Sequence, residues 1–172
     1  AIQRYDSSLL IKNTLFKQKF DQLDATQRQT LLGGIIRSNF NIGVALTDLG
    51  QLQAAEDQMK KCLQLLNDFS SQYDLYMPDR RGRIHYQLGV IYSSTKGIDD
   101  ALEQFELAKN DYSEQTRLSI RSNLVNALSN LFMIWSEPDS IKKYSLMQFR
   151  MFENINPAQV ASASINLGVG EG

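Results

Sequence analysis

Cysteine, histidine and tryptophan each occur only once among the 172 residues, and proline only three times. One cysteine excludes a disulfide within the chain, and Cys62 with His85 cannot supply the usual ligand set of a zinc site. The 18 basic and 19 acidic residues leave no positive excess that would draw the chain to nucleic acid. No apolar run is long enough to span a bilayer. We therefore predict no metal, no cofactor, and neither nucleic acid nor membrane as a partner.

Motifs that carry a reaction are also missing. The phosphate-binding and metalloprotease patterns GxxxxGK, GxGxxG and HExxH do not occur. His85 has no nucleophile motif beside it, so we interpret it as a structural histidine. The pair Asp99-Asp100 stands at a helix start, where carboxylates cap. Cys62 takes a small-residue position on a helix, which indicates a buried structural thiol. The chain is predicted not to be an enzyme and to have no catalytic residues.

What the sequence does contain is a repeated pattern of small and large apolar residues. It is clearest in the stretch HYQLGVIYSSTKGIDDALEQFELAKNDY, residues 85–112. Small side chains at two places let two amphipathic helices cross closely, and larger ones fill the wedge around the crossing. An earlier stretch, residues 39–62, carries the same offsets. The matched pairs are Gly43 with Gly89, Ala55 with Ala101, Met59 with Phe105, and Cys62 with Ala108.

This spacing resembles the helix hairpin of the tetratricopeptide repeat family. The resemblance covers nearly the whole chain and implies an all-α fold, a right-handed α-solenoid of antiparallel hairpins with about seven helices. The anchors Gly43, Gly89, Ala127 and Gly168 are 46, 38 and 41 residues apart, whereas the standard unit has 34. The long units resemble those of kinesin light chain, the maltose-regulator class and peptide-sensing regulators of Gram-positive bacteria.

The predicted organisation is one array over residues 1–172. Thr26 with Gln29 predicts a capping box that opens a long helix to about Leu49, with Gly50 as its stop. The adjacent Gly33 and Gly34 are expected to permit close packing or a bend. We expect the natural protein to continue past Gly172. The predicted segments are a leading helix (1–23), unit 1 (24–73), unit 2 (78–113), unit 3 (116–156) and a truncated unit 4 (157–172).

In this family the first helix of each hairpin commonly faces a concave groove, so equivalent residues form rows along it. The resemblance implies an arginine row beside an apolar row, which suits a peptide with acidic side chains or a free carboxylate. The open alternative is that the arginines pair with Asp or Glu of the next unit and the apolar row is ordinary packing. The candidate peptide-binding residues are Arg37, Phe40, Asn41, Val44, Arg83, Tyr86, Val90, Arg121 and Leu124, with Leu128, Ser162, Ile165 and Val169 continuing the rows. The polar neighbours that could bind the peptide backbone are Asn39, Asn41, His85, Gln87 and Asn123.

A second basic feature is the run from Asp79 to Arg83, with three arginines at a helix start. Because positive charge opposes the helix dipole there, we expect compensation from Asp74 and Asp79. The run is either a solvated helix entry or a site for a phosphate or an acidic partner.

Two functional hypotheses follow. The first is a cytoplasmic, non-catalytic scaffold that binds a protein or peptide in the groove. The second is an effector domain of a larger transcriptional or signalling regulator, which senses a ligand or peptide. Self-association through the truncated end is a further possibility, because that end would expose an apolar face.

Overall fold

The computed structural model describes residues 2–74, 76–113, 115–135, 139–143 and 146. Within these ranges the chain forms six α-helices, each packed against the next along the chain. The predicted fold class, an all-α solenoid of helix hairpins, is confirmed for this part of the chain. The helices are α1 (Ile2–Lys19, extended by a 3₁₀ turn, Phe20–Gln22), α2 (Ala25–Asp48), α3 (Leu52–Tyr73), α4 (Pro78–Thr95), α5 (Ile98–Asp111) and α6 (Leu118–Trp135).

The start of α2 carries a capping box, but in a different register from the predicted one. Asp24, not Thr26, is the N-cap: its Oδ1 accepts a hydrogen bond from the Gln27 amide at 2.8 Å. The Gln27 side chain in turn accepts from the Asp24 amide at 3.1 Å. The prediction of Thr26 with Gln29 was wrong because Asp followed by Gln also satisfies the first free amides, two residues earlier. At the other end, Gly50 with φ +71° ends the helix as predicted.

Gly43 and Gly89 lie where the two helices of a hairpin cross. A Cβ added to Gly43 would lie 2.7 Å from Met59 Cε, and one added to Gly89 would lie 2.5 Å from Phe105 Cε1. Carbon atoms in contact ordinarily stay about 3.5–4.0 Å apart, so only glycine permits these crossings. The alignment of the two hairpins is thereby confirmed. The residues of the second helices at the crossings are buried: Ala55, Met59, Cys62, Ala101, Phe105 and Ala108.

A buried carboxylate joins the first hairpin to the second. Glu56 on α3 is 3% exposed and forms a 2.7 Å ion pair with Lys60. It also accepts hydrogen bonds from Lys96 Nζ at 2.6 Å and from the Tyr92 hydroxyl at 3.2 Å. Hydrogen bonds from Lys60 and Lys96 hold the pKa of Glu56 at about 2, although burial acts in the opposite direction. The sequence pattern did not reveal this brace between α3 and the end of α4.

The first helix packs on α2 and brings aromatic residues to the end of α3. The ring centroids of Phe16 and Phe20 are 4.7 Å apart, and Phe20 lies 4.7 Å from Tyr73 in an edge-on arrangement. Phe69 joins the same cluster at 5.9 Å from Phe16. These contacts attach α1 to the second helix of unit 1 as well as to the first.

Toward the C-terminus, residues 139–143 are helical and Ile141 is buried in the core. None of the described helices combines the length and apolar character needed to cross a bilayer. Several predictions lie outside the described residues: the last part of unit 3 (147–156), the truncated fourth unit with its anchor Gly168, and the groove positions Ser162, Ile165 and Val169.

Candidate functional site

Three adjoining cavities cross α2, α4 and α6, the first helices of successive hairpins. Their volumes are about 100, 280 and 250 Å³. The first and second cavities share Phe40, Asn41 and Arg83 in their walls, and the second and third share Tyr86 and Asn123. Because the walls are shared, the cavities form one continuous depression, which we call the inner groove.

The residues that line the inner groove recur with one spacing on all three helices. On each helix a first position is followed by another three residues later and a third four residues after that. This is the spacing of one helix face. The three sets are Arg37, Phe40 and Val44 on α2; Arg83, Tyr86 and Val90 on α4; and Asn123, Asn126 and Asn130 on α6.

The first cavity is positively charged. Arg37, Arg80 and Arg83 line it together, and no carboxylate of the described residues forms an ion pair with any of the three. The Arg83 guanidinium lies over the Phe40 ring, with Cζ 5.0 Å from the centroid, in a cation–π contact. Burial, together with the nearby charges of Arg37 and Arg83, lowers the pKa of Arg80. An anion in this cavity would therefore meet guanidinium groups that form no ion pair with a carboxylate of the described residues.

The middle cavity is mostly aromatic and aliphatic. Phe40, Val44 and Tyr86 line it, and the Tyr86 ring lies 6.0 Å from Phe105 beneath. Burial raises the pKa of Tyr86, so it is a neutral phenol at physiological pH. Tyr112 also lines this cavity, and its hydroxyl is buried without a hydrogen-bond partner among the described residues. This part of the groove can bury apolar side chains.

The third cavity is lined by amide side chains of α6. Asn123, Asn126 and Asn130 face it together with Ser93 of α4. Each amide can donate and accept at once, which matches the alternating N–H and C=O groups of a peptide backbone. The inner groove is thus lined by cationic side chains between α2 and α4, and by amide side chains at α6.

Seven of the nine predicted groove residues line these cavities. They are Arg37, Phe40, Asn41, Val44, Arg83, Tyr86 and Val90. Leu124 lies in the core with 3% of its surface exposed. Arg121 is half-buried, and its Nε has no hydrogen-bond partner among the described residues. These two residues do not line the three cavities.

The difference arises from the register of α6. Ala127 was aligned with Gly89, but the fully buried small residue of α6 is Ser129, and Leu128 before it is buried as Leu88 is before Gly89. The anchor of α6 is therefore Ser129. A two-residue error rotates a helix by about 200°, which is enough to turn Arg121 and Leu124 away from the groove and to place Leu128 in the core. For the same reason Asn126 and Asn130 were not predicted as groove residues.

The arginine run at the start of α4 serves two purposes. Arg81 pairs with Asp111 of α5, with Nε and Nη2 at 2.8 and 2.6 Å from Oδ1. Asp74, from which compensation was also expected, is the C-cap residue of α3 and forms no ion pair with these arginines among the described residues. Asp79 instead accepts a hydrogen bond from the Thr116 hydroxyl. Arg80 and Arg83 point into the inner groove, a role that the sequence spacing did not assign to Arg80.

Two other polar residues are accounted for by their contacts. His85 Nδ1 lies 2.9 Å from Gln104 Oε1, so the ring is paired with α5 as a structural histidine would be. Cys62 is fully buried, and burial raises the pKa of its thiol to about 12. Among the described residues no group of three or more His, Cys, Asp or Glu could hold a metal ion.

Comparison with known proteins agrees with this architecture. Residues 36–67 match the tetratricopeptide repeat family, over the second half of α2 and most of α3. No curated protein matches the chain in sequence. Among solved structures, BtubC (BKLC) from P. vanneervenii is similar, with a TM-score of 0.73 and 19% identity. The match covers 98% of this chain but 63% of BtubC, and at this identity it shows the fold alone.

Residues 36–67 therefore resemble a tetratricopeptide repeat, and they lie within a helical repeat solenoid. Repeats of this family generally serve as scaffolds for protein–protein interaction, and their stacked units create extended binding surfaces.

Proposed function

We propose that the chain is a non-catalytic scaffold that binds an extended segment of a partner protein in the inner groove. The observation that carries the proposal is the continuity of three cavities over the same face of three first helices. Packed helices are about 8–10 Å apart, so the groove spans roughly 20 Å. At about 3.3 Å per residue, that length holds about six residues of extended chain.

The chemistry of the groove favours a peptide over a small apolar ligand. A small apolar ligand needs one enclosed pocket, whereas here three open cavities of different character lie in a row. Unpaired guanidinium groups suit carboxylates, the ring and aliphatic walls suit apolar side chains, and the amides suit the peptide backbone. The candidate residues carried over from the sequence for this role are Arg37, Phe40, Asn41, Val44, Arg83, Tyr86 and Val90.

The alternative hypothesis, an effector domain of a larger regulator, would use the same groove. It differs from the scaffold hypothesis in what else the polypeptide carries and in what binding does to the helix packing. Both hypotheses require a segment or ligand that contacts α2, α4 and α6 together.

The experiment is selection of peptides from a displayed random library, followed by affinity measurements on the selected sequences. The test variant replaces Asn41 and Asn123 by Ala, since both line the middle cavity from different helices. We expect the double variant to lose affinity about tenfold or more, which corresponds to one or two hydrogen bonds.

The matched control is Asn110→Ala on the exposed side of α5, which should bind like the parent. The proposal fails if no peptide is enriched, or if the selected peptides bind the double variant as tightly as the control.

A further inference from the structure

We propose that one anion site lies at the α1 end of the inner groove and binds Asp or Glu side chains at several positions of the bound segment. The site is formed by Lys12, Arg37, Arg80 and Arg83. This inference rests on the proposed peptide-binding function and names the part of the partner that this end recognises. It adds α1 to the site and places Arg80 in it, and it leaves Arg121 out.

Lys12 reaches the site from α1. Its Nζ donates hydrogen bonds to Ser38 Oγ of α2 at 2.7 Å and to Ser8 Oγ at 2.8 Å. Both partners are neutral hydroxyls, and the side chain is half-buried. Burial, and then the charge of Arg37, lower the pKa of Lys12. The ammonium group is thus held against α2, close to Arg37, without a counter-ion.

Two of these cations lie against the glycine pair of α2. A Cβ on Gly34 would lie 3.3 Å from Lys12 Cε, and one on Gly33 would lie 3.1 Å from Met77 Cε and 3.5 Å from a terminal nitrogen of Arg80, which is an ordinary contact distance. Two cationic side chains from different helices therefore contact α2 at adjacent residues, about one turn before Arg37.

Among the residues that the structure describes, no acidic side chain forms an ion pair with any of the four cations. The ion pairs among the described residues join other partners, so Lys12, Arg37, Arg80 and Arg83 have no carboxylate of their own. Like charges that are partly removed from water repel each other more strongly than in bulk solvent. A bound anion relieves that repulsion. The chain as a whole has a formal charge of -1, so the cationic end is a local feature.

The spread of the cations favours carboxylates at several positions over one compact phosphate. The four groups come from α1, α2 and α4, and packed helices are about 8–10 Å apart. A single phosphate in the first cavity would meet only the three arginines that line it and not Lys12, whereas alternate side chains of an extended segment repeat about every 6.6 Å. An acidic stretch at one end of the partner segment, followed by a neutral stretch toward α6, matches the groove.

The test uses fluorescent nine-residue peptides and fluorescence anisotropy. The first peptide has Glu at three alternate positions beside a neutral stretch, made in both orientations, and the second has Gln at those positions. The third gathers the same total charge on one phosphoserine and an adjacent Glu. We expect the better Glu orientation to bind at least about tenfold tighter than the Gln peptide and tighter than the phosphoserine peptide.

The variants are Lys12→Gln and Arg80→Gln. The charge-matched control is Lys61→Gln, at an exposed position of α3. Each site variant should weaken binding of the Glu peptide about fivefold or more, and the control should not. Thermal melting checks the fold, and Arg83→Gln, which changes an exposed side chain, replaces any variant that melts early.

Equal binding of Glu and Gln peptides, tighter binding of the phosphoserine peptide, or unchanged affinity in the site variants would each overturn the inference. These outcomes are distinct from failure of the proposed function. If library peptides bind the groove with no acidic preference, the scaffold proposal stands and the anion site does not. If no peptide binds at all, both fail.

Discussion

Replacing Gly89 by alanine tests the crossing on which the second hairpin depends. The new Cβ would lie 2.5 and 2.6 Å from Cε1 and Cδ1 of Phe105. Ordinary carbon contacts are about 3.5–4.0 Å, so the ring or the helix must move by roughly 1 Å. Phe105 is 2% exposed, and its neighbours Ala101 and Ala108 are fully buried. The ring is therefore enclosed on most sides, and the free space beside it is the third cavity of the groove, which Phe105 lines.

The expected magnitude combines two opposing effects. Overpacking a core typically costs about 1–3 kcal/mol, and alanine gains about 1 kcal/mol over glycine in helix propensity. The net free energy of unfolding should fall by about 0–2 kcal/mol, and by more for Gly89→Leu. In a chain of this size, each kcal/mol changes the Tm by about 2–4 °C.

The control is Gly34→Ala in α2, which makes the same change in helix propensity. Its Cβ would meet only the flexible end of Lys12, with Cε at 3.3 Å, and that end can move. The difference in unfolding free energy between the two variants thus isolates the overpacking cost of about 1–3 kcal/mol. Urea denaturation followed by circular dichroism measures both. If Gly89→Ala is as stable as Gly34→Ala, the close crossing at Phe105 is not real.

Two further predictions concern buried groups. Because the pKa of Glu56 is lowered from 4.5 to about 2, its ionised form stabilises the fold above pH 4.5, and this contribution is lost as pH falls toward 2. Glu56→Gln should therefore lower the free energy of unfolding by about 1–3 kcal/mol at pH 7, and in urea titrations this free energy should depend less on pH below 4.5 than in the parent. The exposed control Glu103→Gln should keep the pH dependence of the parent. Parallel pH curves for the parent and Glu56→Gln would contradict this. Burial raises the pKa of Cys62 to about 12, so the native thiol should react with a disulfide reagent at least about a thousandfold more slowly than in urea, and rapid labelling of the folded chain would show that the site opens.

Much of the hairpin geometry could be predicted from residue sizes and spacing. Glycine at positions 43 and 89 and alanine at 55 and 101 permit close helices regardless of the rest of the chain. The offset to Met59 and Phe105 follows from the length of the connecting turn. These are local relations within about 20 residues, and the structure bears them out.

The rows across units were less predictable. A register error of two residues in α6 displaced Arg121 and Leu124 from the groove and hid the groove positions of Asn126 and Asn130. The pattern of small residues is weaker there, since Ser129 rather than a glycine occupies the anchor position. Only packing against α4 and α5 determines which residues of α6 face the inner groove.

The sequence by itself determined the helices, the two glycine crossings and the absence of any recognised catalytic or metal-binding motif, because each depends on residue types a few positions apart. The tertiary structure decided which charges meet. Lys12 and Arg80 are far apart in the chain and contact adjacent residues of α2 from different helices. Glu56 likewise pairs with Lys96, 40 residues away. Side-chain pairing at such separation depends on how the helices stack, and no local pattern encodes it.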